Sequence, residues 1–465
     1  MSNTLLYNSF NWGISDDKFT WFKNSYQSWK AIEVRKNPQS LTLANLTEKI
    51  SWDTVTTRIN KIIQLNSTWK IIYFWTAWKI YYSVLWWTWW ANCYTDTGWK
   101  EITDAIEYNW YVYWSTITHI DRIAIADVDA DWSWDVTENY QAFSDWTTWS
   151  NPMIEINWKL YIWDGRNLAE FDWTTWNNSV ITLDYWQRID FLTLAWSTLR
   201  IYCNRDTTSW PDTGRCYFWD TISDNYNESI EWPWDALNTI TSLNWIDYVV
   251  SWEYLYSISW YNKIKLKKLP EQAEVQWRHG SCIFNWLILL CWTYWARTYW
   301  SLNKNYSDVL NFDFPTSSNY AETWTAKTYT VFKTKTFLLI AWQSWATYWV
   351  DKINVNKYST TWQVISRVYD AWSWHMLKRI IRSYISTLPI ATGESVVTSY
   401  SLDNSWSFTT DLTINTVAQL YKENFPSINE YNYIETKVIL TAWTSNNTTP
   451  ELKEYWYDFD IVNQN

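Results

Sequence analysis

Asn157-Trp158-Lys159-Leu160-Tyr161-Ile162-Trp163-Asp164-Gly165-Arg166-Asn167-Leu168-Ala169-Glu170-Phe171 is the stretch on which the fold turns. Its apolar and β-branched runs are too short for helices and are bounded by turn residues, which gives turn, strand, tight turn, strand. One feature jars. Asn157 is followed by Trp158 where a hairpin turn calls for Asn-Gly, because a type I′ turn needs positive φ at both central residues.

The same substitution pervades the chain. There are 46 Trp and 6 Gly in 465 residues, whereas Gly alone ordinarily accounts for roughly 7% of a sequence, about 33 residues in this length. Seventeen of the Trp follow Asn, Asp or Ser, the residues that lead into tight turns. Trp86-Trp87-Thr88-Trp89-Trp90 is implausible as packed indoles and ordinary as a glycine-rich loop. The expectation is that most of these positions are UGA codons, read as glycine in the source genome and written here as Trp.

With glycine at those positions, units like the one quoted start at Trp69, Trp110, Trp158, Trp196, Trp245, Trp286 and near Lys335, spaced by 41, 48, 38, 49, 41 and about 49 residues. A four-stranded propeller blade takes about 40–50 residues. A lone meander exposes two edges and an apolar face, and radial packing covers the faces. The fold expected is therefore all-β: a seven-bladed β-propeller over residues 61–375, followed by a small antiparallel β-sandwich over 385–465. Residues 1–60 lack the blade pattern and read as a leader that crosses the ring or supplies a closing strand. Ser373–Tyr384, with Lys378, Arg379 and Arg382, reads as a basic connecting strand.

The balance of 37 basic against 48 acidic side chains, net −11, argues against a nucleic-acid binder. Ile71–Ala91 contains only Lys79 as a charge and superficially resembles a membrane span. Read with glycines it is a hairpin, so no membrane span is expected. No basic-then-apolar secretion signal opens the chain. The five Cys include Cys203 and Cys216 on either side of a polar loop; these could face one another across a hairpin, though two reduced strand cysteines are the default reading.

The sharpest local motif is Asp127-Val128-Asp129-Ala130-Asp131-Trp132-Ser133-Trp134-Asp135-Val136-Thr137-Glu138. With glycine at 132 it matches the calcium loop D-x-D-x-D-G-x5-E, whose hard oxygen ligands suit Ca2+. Asp127, Asp129, Asp131, Ser133, Asp135 and Glu138 are the candidate ligands. Ile120–Ala126 reads as a strand, so the ion would staple a loop and serve structure. Catalytic signals are weak: His119, His279 and His375 are far apart in sequence, and no metalloprotease or serine-hydrolase motif appears. Asp145-Trp146-Thr147-Thr148-Trp149 and Asp172-Trp173-Thr174-Thr175-Trp176 become D-G-T-T-G hairpin tips that superficially resemble sialidase Asp-boxes.

Phe10-Asn11-Trp12-Gly13-Ile14 becomes F-N-G-G-I, and this opening resembles the entry of propeller-bearing virion proteins from tailed bacteriophages. The segment from Asn151-Pro152-Met153-Ile154-Glu155 to Gly165 is similar to one of their blades, and the sandwich-like tail is similar to theirs. The resemblance implies a tail or head-to-tail structural component, hub- or nozzle-like, assembled in the host cytoplasm with other virion proteins or as a homo-oligomer, with no catalytic residues to carry over. The alternative is a carbohydrate-binding or glycoside-hydrolysing bacterial propeller, which would need a pair of carboxylates at a set separation.

Overall fold

A computed structural model describes residues 3–7, 26–29, 32–33, 40–50, 57–75, 79–83, 91–95, 100–129, 132, 135–144, 151–183, 187–205, 213–233, 235–269, 279–284, 287–291, 296–300, 309–314, 326–366, 368–369, 376–403, 405, 407–426, 430–443 and 447–462. The Phe10–Ile14 opening, the Trp86–Trp90 cluster, the Asp145–Trp149 tip and His375 lie outside them. Among the described residues the chain is β-structure apart from a single 3-10 turn, Ile125–Asp127. Among the described residues no helix is long and apolar enough to cross a membrane. The apolar stretch that mimicked a span is a hairpin, Ile71–Trp75 against Lys79–Ser83.

The unit quoted at the outset forms the middle of a sheet. Met153–Ile156, Lys159–Asp164, Asn167–Phe171 and Trp176–Thr182 pair antiparallel in chain order. Among the described residues six further four-stranded meanders of this kind occur, spanning 59–95, 102–142, 187–232, 237–268, 281–314 and 326–358, the last completed by Asn45–Lys49. First strands touch in a cycle, from Ile59–Gln64 through Ile102–Tyr108, Met153–Ile156, Gln187–Ala195, Leu237–Leu243, Ser281–Phe284 and Ala326–Lys333 back to Ile59–Gln64.

The apolar core follows the same cycle. Each of seven clusters is shared by two neighbouring sheets, for example Leu168 and Ile181 of the third with Ile201 and Tyr217 of the fourth. The last joins Leu339 and Val350 of the seventh to Ile62 and Tyr73 of the first. Strands with both faces in such wedges are buried throughout, as in Ile71–Trp75. A closed ring of meanders sharing wedge-shaped cores is a β-propeller.

Asn45–Lys49 pairs with Thr347–Tyr358 as the outer strand of the seventh sheet, so a segment from the N-terminal side closes the ring. Two other pieces go elsewhere: Asn3–Tyr7 pairs with Leu452–Val462, and Tyr26–Trp29 with Thr361–Ser366.

The C-terminal unit is a sandwich of a four-stranded and a five-stranded sheet. Its core includes Leu5, Tyr7, Val364, Ile380, Val438, Tyr455 and Phe459. Its boundary differs from the sequence-based one. Thr361–Ser366 already belongs to the sandwich, and Leu377–Thr387, read above as a basic connecting strand, lies between two neighbours in its four-stranded sheet. Alternation along Leu377–Thr387 buries Lys378, Ile380, Ser383 and Ile385 and leaves Arg379 exposed and Arg382 partly exposed, so the basic residues fall on both faces of an internal strand.

Backbone conformation at the turns bears on residue identity. Trp69, Trp110, Trp158, Trp173, Trp196, Trp245, Trp252, Trp260 and Trp345 all have φ between 50° and 87°. Asn109, Asn157 and Asn244, each immediately before one of them, are also at positive φ. This is the left-handed conformation that glycine adopts without steric cost and that a residue with a Cβ resists.

Cys203 and Cys216 are free and buried. Cys203 pairs with Arg215 and Cys216 with Tyr202. That one-residue offset puts the two thiols on opposite faces of the sheet, in the third–fourth and fourth–fifth wedges. No disulfide can join them. Burial pushes both thiols well above the usual range.

Candidate functional site at the ring axis

Five first strands open with a register shift, between Ile59 and Lys61, Ile102 and Asp104, Ile189 and Phe191, Leu237 and Thr239, and Thr328 and Thr330. Each bulge inserts one extra residue and re-aims the side chains beside it. Two of the residues just past a bulge meet at the axis. Lys61 Nζ of the first sheet is 2.8 Å from Asp104 Oδ1 of the second.

The third member is His279, which immediately precedes the sixth sheet. Its carbonyl accepts from Val331 N of the seventh sheet. Its ring reaches the first and second, with Nδ1 3.3 Å from Lys61 Nζ and Nε2 3.4 Å from Asp104 Oδ1. A residue that touches those sheets from the far side of the ring lies across the axial opening. An ammonium only donates, so Nδ1 accepts from Lys61 and Nε2 carries the proton toward Asp104.

Asp104 is the hub. It also accepts from Met153 N at 2.9 Å and from Ala105 N at 2.8 Å. Burial alone would raise its carboxyl, but Lys61, His279 and the backbone donor of Met153 outweigh it and hold the group below the usual carboxylate range. The carboxylate thus takes two donors at Oδ1, from Lys61 and Ala105, and the Met153 N–H at Oδ2. It binds three sheets and the approach to a fourth into one joint.

Similar polar clamps hold the wedges. Arg188 grips Asp190 through Nε and Nη2, and Asn204 adds a 2.7 Å bond to the same carboxylate. Asn204 also exchanges two bonds with the backbone of Leu237. His119 Nε2 lies 3.0 Å from Asp121, with Lys100 Nζ at its Nδ1. Of the three histidines, then, two act as struts in separate places. Sequence reasoning did not bring Lys61, Asp104 and His279 together; their separation along the chain hides a contact that only ring closure makes.

At the opposite end of the first strands a cavity of about 420 Å³ lies among the hairpin tips of the fourth and fifth sheets. Trp196 and Trp245 stack there at 5.1 Å, with Trp260 and Tyr261 alongside. Its floor is the buried pair Arg200–Asp247, 3.0 Å apart. All three of its indoles sit on positive-φ residues, so its aromatic lining depends on the identity of those positions.

The expected calcium loop is partly outside the description: Asp131 and Ser133 are not among the described residues. Asp127, Asp129, Asp135 and Glu138 are exposed. Glu138 Oε1 accepts from the Tyr94 hydroxyl at 2.5 Å, and Lys70 Nζ donates to the Val128 carbonyl. Trp132 is buried, tilted against Trp114, and its Nε1 donates to the Asp129 carbonyl at 2.9 Å. Among the described residues no three His, Cys, Asp or Glu side chains converge as a metal group. The indole at 132 thus takes the Asp129 carbonyl, whereas the carbonyl that the motif would use belongs to Ser133, outside the described residues.

The D-x-T-T tip at 172 is a tight turn. Asp172 Oδ1 accepts from Thr175 N at 2.8 Å and Thr174 N at 3.2 Å, with Trp173 at φ 87° between the strands. These backbone bonds lower the Asp172 carboxyl.

No protein-family model matches the chain, and no curated protein matches it in sequence. Among solved structures it is similar to the Neurospora crassa Pan2 WD40 domain (TM-score 0.44, 8% identity, 67% of this chain and 95% of that one). It is also similar to the N-terminal domain of Nup159 (0.41, 9%, 67% and 96%) and to virginiamycin B lyase from Staphylococcus aureus (0.46, 10%, 66% and 99%).

Proposed function

We propose that this protein is a non-enzymatic structural component of a tailed-phage particle, in which the propeller acts as a rigid interaction disc. The observation that carries the reading is the stitching of the chain. Asn45–Lys49 closes the ring, while Asn3–Tyr7 is a strand of the C-terminal sandwich, so the N-terminal side fastens both units. Such a disc cannot shed a blade or its sandwich without unzipping a sheet, which suits a part that bears load between neighbours. The axial carboxylate, tied to Lys61 and to the backbone of the third sheet, fits a joint better than a catalytic base.

The reading includes glycine at most of the Trp positions, with virion location and assembly in the host cytoplasm as its consequences. Positive φ at nine tryptophans supports it. With glycine at 132, the indole N–H leaves the Asp129 carbonyl, and the 127–138 loop takes a structural Ca2+ through its carboxylates. The carbohydrate-binding alternative would use the aromatic cavity at the fourth and fifth sheets, and that lining loses its three indoles with the same glycines, keeping only Phe218 and Tyr261.

Proteolysis and mass spectrometry of purified particles test the assignment. Peptides of this chain in fixed proportion to the other particle proteins are expected. Its absence from particles, with recovery on host polysaccharide, would overturn the assignment in favour of the alternative.

A further inference from the structure

Eight large apolar side chains other than tryptophan are exposed among the described residues, and four of them fall within nine positions: Val417 at 47%, Leu420 at 46%, Tyr421 at 62% and Phe425 at 70%. None of the four depends on which residue stands at the propeller turns. The stretch turns where Gln419 N donates to the Thr416 carbonyl, then runs on as Tyr421–Asn424, the edge strand of the four-stranded sandwich sheet.

Side chains of the neighbouring strand back this edge. Tyr421 stacks on Tyr384 at 6.3 Å with the ring planes 21° apart. The Arg382 guanidinium lies 5.8 Å from the Phe425 ring centre and pairs with Glu423 at 2.7 Å. Aromatic rings beside an arginine are the composition of interface centres. Strand addition is not how the edge is used. Asn424 Nδ2 donates to Asp411 Oδ1 at 2.8 Å and Lys422 Nζ to the Thr413 carbonyl at 3.1 Å, which lashes the strand to Thr409–Ile414 of the facing sheet. Any contact here is made by side chains. The edge is also the far one: Asn3–Tyr7 and Tyr26–Trp29 occupy the opposite edges of the two sheets, and the chain enters the sandwich at Thr361–Ser366, next to Tyr26–Trp29.

We infer that this edge is a two-fold contact with a second copy of the chain, in which Tyr421 and Phe425 pack against the same two residues of the other copy. The four side chains leave roughly 450 Å² open. A stable pair buries about 800 Å² per partner, roughly 60% of it apolar, so the patch is the right size for the apolar part of such a footprint. Arg382 and Glu423 neutralise each other within it. Two copies therefore meet there without the repulsion that a net charge of −11 imposes on the rest of the surface. Because each copy uses the patch once, the assembly closes at two. The contact lies on the sandwich and does not rest on the particle assignment: a dimer absent from particles would leave it standing.

Sedimentation velocity on the full chain should show a monomer–dimer equilibrium that is insensitive to salt, because the contact is apolar. Replacing two exposed side chains, Tyr421→Ser with Phe425→Ser, should raise the dissociation constant at least tenfold and leave the circular dichroism spectrum unchanged. A second measurement locates the contact. With a short bismaleimide, Tyr421→Cys should cross-link into dimers, and Ile222→Cys, at a propeller position 87% exposed, should not. A monomer at every concentration, dimerisation unaffected by the double substitution, or equal cross-linking at 421 and 222 would each overturn the proposal.

Discussion

Trp158 and Trp245 follow Asn at hairpin tips with φ 64° and 66°, and their rings extend into solvent, 78% and 49% exposed. An L-residue with a Cβ costs roughly 1–2 kcal/mol in that conformation, and an exposed indole gains little burial to offset it. Replacing Trp158 or Trp245 with glycine should therefore stabilise the chain by about 1 kcal/mol, read from urea denaturation midpoints. The buried tryptophans point the same way. Directly across from the last residue before the bulge in the first strand stand Thr116, Cys203 and Ser251 in three sheets and Trp75 and Trp342 in two. Trp75 and Trp342 are buried with their ring N–H groups unpaired. A place that accepts Thr, Cys or Ser is small. Trp342→Gly should cost less than about 1 kcal/mol, where truncating an ordinary buried Trp costs about 3–5 kcal/mol. The same denaturation measurement decides between them.

Among the elements, the inner hairpins were legible because their turns and apolar alternation are local. Lys159–Asp164 with Asn167–Phe171 is visible from fifteen consecutive residues. The bulges that aim Lys61 and Asp104 leave no such mark, since an extra residue alters pairing without altering composition. Asp104 carries a specific pH prediction. Its folded-state carboxyl lies below the unfolded value of about 4, so its contribution is complete above that value and is lost as pH falls through the folded one. Asp104→Asn should remove about 2 kcal/mol at neutral pH and flatten the acid limb of the stability profile between pH 4 and the folded value. An unchanged acid limb would show that the carboxylate does not hold the joint. The calcium motif was readable as a pattern only, and its test is thermal: in the Trp132→Gly chain, Ca2+ should raise the melting temperature and a chelator should reverse the rise.

At the scale of the molecule, periodic spacing predicted a ring, but what closes it came from pairings no local reading supplies: Lys49 with Asp351, and Asn3 with Phe459. The sandwich boundary was misplaced for the same reason, because Thr361–Ser366 looks like any other strand until its partner is known. Removing residues 1–50 deletes the outer strand of the seventh sheet and two strands of the sandwich, Asn3–Tyr7 and Tyr26–Trp29. Calorimetry on that chain should show a lower melting temperature and separate transitions for the two units, in place of one. The account as a whole depends on which residue stands at the turns. Mass spectrometry of the protein isolated from its natural source, on peptides spanning residues 158, 163, 196 and 245, measures this directly. Glycine at those positions is the predicted result, and tryptophan at them would contradict the account.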